Sequence, residues 1–152
     1  INKSIDGCSA PQYSFPIESL ALAMSKVSCY SQLQFDISIS LNKLLYSIIK
    51  NPFYIGGTNR FDSELINITK GRIFCKGGAE GVLLFSDFKK KYGGILKVED
   101  GNFRAIPSAT IALLKKIGSI NKFEEKKLVK WSSEKLYNHA NTYVGLIRSK
   151  KL

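Results

Sequence analysis

The chain has 152 residues, of which 44% are hydrophobic and 23% charged, a size and balance that fit one domain with a sizeable core. No apolar run approaches the roughly 20 residues that span a bilayer, so no membrane partner is expected. The formal net charge of +11 invites a nucleic-acid reading, but the lysines lie in short scattered groups and only four of the 23 cations are Arg, the residue suited to bidentate phosphate and base contacts.

The chain opens on Ile1, without an initiator Met and without a basic-then-apolar leader. The expectation is a processed chain or a piece of a longer one, in the cytoplasm. Asp6-Gly7-Cys8-Ser9-Ala10-Pro11 reads as a turn. Pro16 suits the first turn of a helix, and Ile17, Leu20, Ala21, Met24 and Val27 follow at helical spacing as one buried stripe. Leu41, Leu44, Leu45 and Ile48 repeat that spacing in a second helix, which Asn51-Pro52 ends. Residues 53–59 read as an aromatic, Gly-containing loop. Arg60-Phe61-Asp62-Ser63 opens a short helix with Asp62 or Ser63 as N-cap and Gly71 as its stop.

The densest local signal is Lys76-Gly77-Gly78-Ala79-Glu80-Gly81, set between the apolar runs Ile73-Phe74-Cys75 and Val82-Leu83-Leu84-Phe85. It reads as a strand that turns through glycine torsions and returns, with Lys76 and Glu80 as isolated charges on an apolar edge. Such a loop can floor a small-molecule site; a solvated hairpin is the alternative. A phosphate-binding loop is excluded, because the Lys precedes the glycines and no Ser or Thr follows a Gly-Lys pair.

A polar turn from Ser86 to Gly93 leads into a strand at 94–99, giving an antiparallel hairpin, and Asp100-Gly101-Asn102 turns the chain again. Pro107 begins a further helix. Beyond Gly118 come a charged helix near Phe123 to Trp131, a polar linker, and Val144-Gly145-Leu146-Ile147 as an edge strand. Cys8, Cys29 and Cys75 form no C-x-x-C and His139 is the sole histidine, so neither a zinc signature nor a disulfide framework can be read.

Taken in order, Asp6-Gly7-Cys8-Ser9-Ala10-Pro11, Phe15-Pro16-Ile17 with Leu20-Ala21, Arg60-Phe61-Asp62, Gly71-Arg72 running into Lys76-Gly77-Gly78-Ala79-Glu80-Gly81-Val82, and Leu96 to Asn102 resemble successive motifs of the bacterial L-asparaginase II family of the rhizobial type. The resemblance spans roughly residues 5 to 118. It implies an α/β (α+β) fold, the C-terminal portion of a serine β-lactamase, penicillin-binding-protein and glutaminase-like domain in which an antiparallel sheet packed with helices lines the site. Residues 1–152 would form one domain.

The chemistry implied by the resemblance is hydrolysis of L-asparagine to L-aspartate and ammonia by a serine activated by a lysine three residues later. Lys76 takes the place of a cation that assists the nucleophile or binds substrate. Asp6 with Gly7, Arg60, Gly77, Gly78 and Glu80 are candidate substrate-binding positions, Asp6 for the ammonium and Arg60 for the carboxylate. One branch of the family carries at the position of Asp62 a cysteine that helps a cysteine and a lysine of the missing half bind zinc, so zinc is the one cofactor the resemblance allows, with a carboxylate as this chain's ligand.

In the family the Ser-x-x-Lys pair lies upstream of Asp-Gly-Cys, which here begins at residue 6. The chain is therefore expected to be the C-terminal half, inactive on asparagine by itself. Its partners would be the missing N-terminal half and, through uncovered apolar surface, further copies of itself. Ser40/Lys43, Ser47/Lys50, Ser86/Lys89, Ser119/Lys122 and Ser132/Lys135 match the spacing, but none stands at the family's nucleophile position. The alternatives are a basic nucleic-acid-binding module and a structural pseudoenzyme remnant.

Overall fold

The computed structural model describes residues 2–150. Two short strands come first, β1 (Lys3–Ile5) and β2 (Pro11–Tyr13), then α1 (Ile17–Ser28), α2 (Phe35–Lys50), α3 (Phe53–Gly56) and α4 (Phe61–Ile68). The central sheet follows as β3 (Ile73–Gly78), β4 (Val82–Asp87) and β5 (Tyr92–Lys97). A 3-10 turn at Phe103–Ala105 leads into α5 (Ile106–Lys116), α6 (Lys122–Lys127), α7 (Val129–Ser132), β6 (Ser133–Tyr137) and β7 (Tyr143–Arg148). The protein is α+β: three antiparallel sheets, β1-β2, β3-β4-β5 and β6-β7, packed with helices.

The core lies where α4 and α5 meet β3 and β4. Leu65, Ile66, Ile73, Leu83, Ile106 and Leu114 are fully buried there, with Phe61 and Phe85 against them. Each such side chain contributes about 1.5–3 kcal/mol by leaving water. α4 ends as Gly71 was expected to end it: Lys70 and Gly71 both take positive φ, and the Gly71 N–H returns to the Ile66 carbonyl at 2.8 Å. Its start differs. Arg60 holds the N-cap position without a side-chain bond, and Asp62 and Ser63 lie within the first turn, facing inward.

α1 lies across β4 and β5. Ser86 donates its hydroxyl to the Met24 carbonyl at 2.6 Å, and a Cβ at Gly93 would sit 2.0 Å from the Met24 carbonyl carbon and the Ser25 nitrogen. Glycine at 93 is what lets helix and strand backbones approach so closely. Met24 is buried, but Ile17 is 43% exposed, so the expected stripe is covered only in its C-terminal half.

Several expectations need correction. Residues 53–56 form a helical turn rather than a loop. Gly77 and Gly78 lie within β3, and the positive φ values of the hairpin belong to Glu80 and Gly81. The expected linker after Trp131 is strand β6, and the Val144–Ile147 run pairs with it in a separate hairpin rather than with the central sheet. α2 forms as expected, yet of its apolar residues only Leu45 is buried, while Phe35, Ile37, Leu44 and Tyr46 face outward. Among the described residues no helix is long and apolar enough to cross a membrane.

Candidate active site

β3 is an edge strand of the central sheet and carries Lys76-Gly77-Gly78. Cys75 and Gly77 point inward and are buried, which puts Lys76 on the exposed side by strand alternation. The Lys76 ammonium folds back onto the Gly77 carbonyl, which accepts from Nζ. The Gly77 N–H in turn donates to Asp62 Oδ2 at 3.2 Å. Both polar groups of this glycine are thus held by side chains, and the edge of β3 is fixed in place.

Asp62 is 2% exposed. Its Oδ1 accepts the Ser63 N–H at 3.2 Å, and the missing side chain of Gly56 makes room for it: a Cβ there would lie 2.0 Å from Oδ1. On the far side, a Cβ at Gly77 would lie 2.9 Å from the Phe103 ring and 3.4 Å from Asp62 Oδ2. Two glycines therefore form a slot for one carboxylate. Phe103 also carries the Arg60 guanidinium over its ring, 5.5 Å from the centroid. Arg60, Phe103, Gly77, Asp62 and Lys76 make one continuous chain of contacts, which no single motif in the sequence announces.

The Cys75 thiol donates to the Asp62 carbonyl at 3.6 Å. Burial pushes its pKa well up, the Asp62 carboxylate adds to this, and Lys76 opposes it. A thiol so held stays protonated and inert as nucleophile or ligand. Asp62 is sealed from solvent and engaged through both oxygens, and among the described residues no group of three His, Cys, Asp or Glu stands together to hold a metal, so zinc at Asp62 would need the further ligands that the resemblance places outside this sequence.

Asp6 and Gly7 stand elsewhere, in the turn between β1 and β2. Asp6 Oδ1 accepts the Cys8 and Ala10 N–H groups at 2.8 and 3.0 Å, and Oδ2 accepts Gln12 Nε2 at 2.8 Å. The bonds from the Ala10 and then the Cys8 N–H hold its carboxyl below the usual range; desolvation opposes them and the Gln12 bond adds least. Among the described residues no hydrogen bond or ion pair links Asp6, Gly7, Arg60 or Glu80 to Lys76. Glu80 sits in the hairpin turn, where its carbonyl accepts Lys97 Nζ at 2.7 Å and its carboxylate packs against Gly101.

None of the five Ser-x-x-Lys pairs has its lysine hydrogen-bonded to its serine hydroxyl. Ser86 is buried and committed to Met24, and Ser119 is buried with no partner for its hydroxyl. Sequence reasoning also missed Arg72. Its guanidinium reaches Asp87 at 3.2 Å, the Ser119 carbonyl at 2.7 Å and both Glu124 oxygens at 2.8 Å, tying β3 and β4 to α6. Its partners lie 15 and 52 residues away, and spacing gives no hint of them.

The family model described as L-asparaginase II matches residues 1–149. No curated protein matches the chain.

Proposed function

Because the chain belongs to the L-asparaginase II family, we propose that it supplies the Lys76-bearing sheet edge of an amidohydrolase that converts L-asparagine to L-aspartate and ammonia. The observation that supports this most is the fixed edge of β3: an exposed ammonium beside glycine peptides whose positions are set by the buried Asp62. A cation held there lowers the pKa of an approaching hydroxyl or steadies the oxyanion of an acyl-transfer step.

The attacking hydroxyl comes in this reading from polypeptide outside the present sequence. That segment would pack on the open side of the sheet and cover α2, completing a serine β-lactamase-like domain in the cytoplasm. The five unsupported Ser-x-x-Lys pairs and the uncovered apolar residues of α2 both favour it. Gly77 and Gly78 would border the substrate. Asp62 acts on the reaction only through Gly77 and is a positioning residue.

The test joins this chain to the polypeptide encoded immediately upstream and follows ammonia release from L-asparagine. The 152-residue chain alone should be inactive, the joined protein active, and Lys76→Ala should lower kcat of the joined protein by about 10²–10³. Activity of the isolated chain, or a joined protein indifferent to Lys76→Ala, refutes the assignment.

A further inference from the structure

A cleft of about 340 Å³ opens where the start of α4, the Phe103–Ala105 turn, α7 and the β6–β7 hairpin meet. Lys76, Gly77 and Gly78 do not line it, although Phe103, which does, also packs over Gly77 at the β3 edge. Its volume lies at the small end of the range for organic ligands, about 300–1,000 Å³. Phe103 and Trp131 supply aromatic walls. Trp131 is fixed at three points: its Nε1 donates to Glu64 at 2.7 Å, its ring meets Phe61 edge-on with centroids 5.6 Å apart, and the Lys130 ammonium lies over one face 5.4 Å from the centroid.

The charges of the lining divide into spent and unspent. Lys130 is paired with Glu64, and Arg104 with Asp100 at 2.8 Å. Among the described residues Arg60 and Glu134 have no ionic partner. Arg60 lies over the Phe103 ring with its guanidinium carbon 5.5 Å from the centroid, and among the described residues its N–H groups donate to no protein acceptor. Among the described residues, one cation and one carboxylate without ionic partners therefore line the same aromatic cleft.

We infer that this cleft binds a free α-amino acid with an aromatic side chain. The ligand carboxylate takes the Arg60 donors, its ammonium takes Glu134, and its ring packs against Trp131. A simple anion would meet Glu134 with like charge, a simple cation would meet Arg60 likewise, and a neutral apolar molecule would desolvate both charges without compensation. A zwitterion answers both. Asparagine has no ring to place on these walls, so this site goes beyond the amidohydrolase reading.

Trp131 is the only tryptophan in the chain, and its fluorescence reports on the cleft directly. Titration of the purified chain with L-phenylalanine should give a saturable change. N-acetyl-L-phenylalanine, which lacks the ammonium, L-phenylalaninamide, which lacks the carboxylate, and L-asparagine should each bind at least about tenfold more weakly. Arg60→Ala and Glu134→Gln, with unchanged circular dichroism, should each weaken L-phenylalanine by about tenfold. Absence of a saturable change, equal affinity for any of the three comparison compounds, or unaltered affinity in either variant overturns the assignment.

Discussion

α2 and α4 carry similar helical patterns and meet opposite fates. Eight residues of α4 bury five, Phe61, Asp62, Ser63, Leu65 and Ile66, whereas sixteen residues of α2 bury only Leu45. α4 docks on β3 through its inward face and sends Asp62 to hold Gly77. α2 reaches the body through Leu45 and Ile48, and its Ile49 fills the space above Gly71. Apolar spacing specifies that a helix has a face to hide, and the rest of the fold decides whether anything is there to hide it.

That contrast can be broken most forcefully at the charges behind α4. Replacing Arg72 by Met strands Asp87, which is fully buried, and Glu124, which is 7% exposed, and should cost about 3–5 kcal/mol in urea unfolding. Next in size, Leu65→Ala should lose about 2–5 kcal/mol while Leu44→Ala, at 55% exposure, stays within about 0.5 kcal/mol. Equal losses from the two leucines would mean that α2 is covered in solution, and would relocate the open face.

A smaller effect follows from pH. Partial burial pushes the Glu64 carboxyl up, but the hydrogen bonds from Lys130 and Trp131 outweigh it and leave the group below its ordinary value. A depressed carboxyl contributes stability that is present above its unfolded pKa and lost as pH falls through its folded one. Acid titration of stability should therefore be shallower in Glu64→Gln, and Trp131 fluorescence should follow the wild-type transition. Smallest in energy, but sharpest in contrast, is thiol chemistry. Cys8 is exposed and should react with a disulfide reagent at once, Cys29 more slowly, and Cys75 only on unfolding.

Much of the α4 side of the molecule was legible beforehand. Pro16 and Pro107 mark helix starts, Gly71 marks a stop, and the Lys76-Gly77-Gly78 run marks a special strand. Its glycines were assigned the wrong physical duty, because a glycine needed for backbone torsion and one needed for clearance look the same in sequence. Gly77 is there for Phe103 and Asp62, residues 26 and 15 positions away, and only the fold brings them near. β6 escaped notice for another reason: Ser133, Glu134 and Lys135 are exposed, so no apolar alternation betrays a strand. Of the candidate site, Asp62 stands as the anchor of an edge strand, its carboxylate accepting the Ser63 and Gly77 N–H groups.

Glu124 serves two structures with one side chain. Its Oε2 accepts the Asn121 N–H that closes the capping box of α6, and the same carboxylate receives the guanidinium of Arg72, the residue before β3. A six-residue helix has no independent existence in water. The stability of α6 therefore rests on the guanidinium that precedes β3, and a helix at one end of the chain depends on a residue 52 positions earlier.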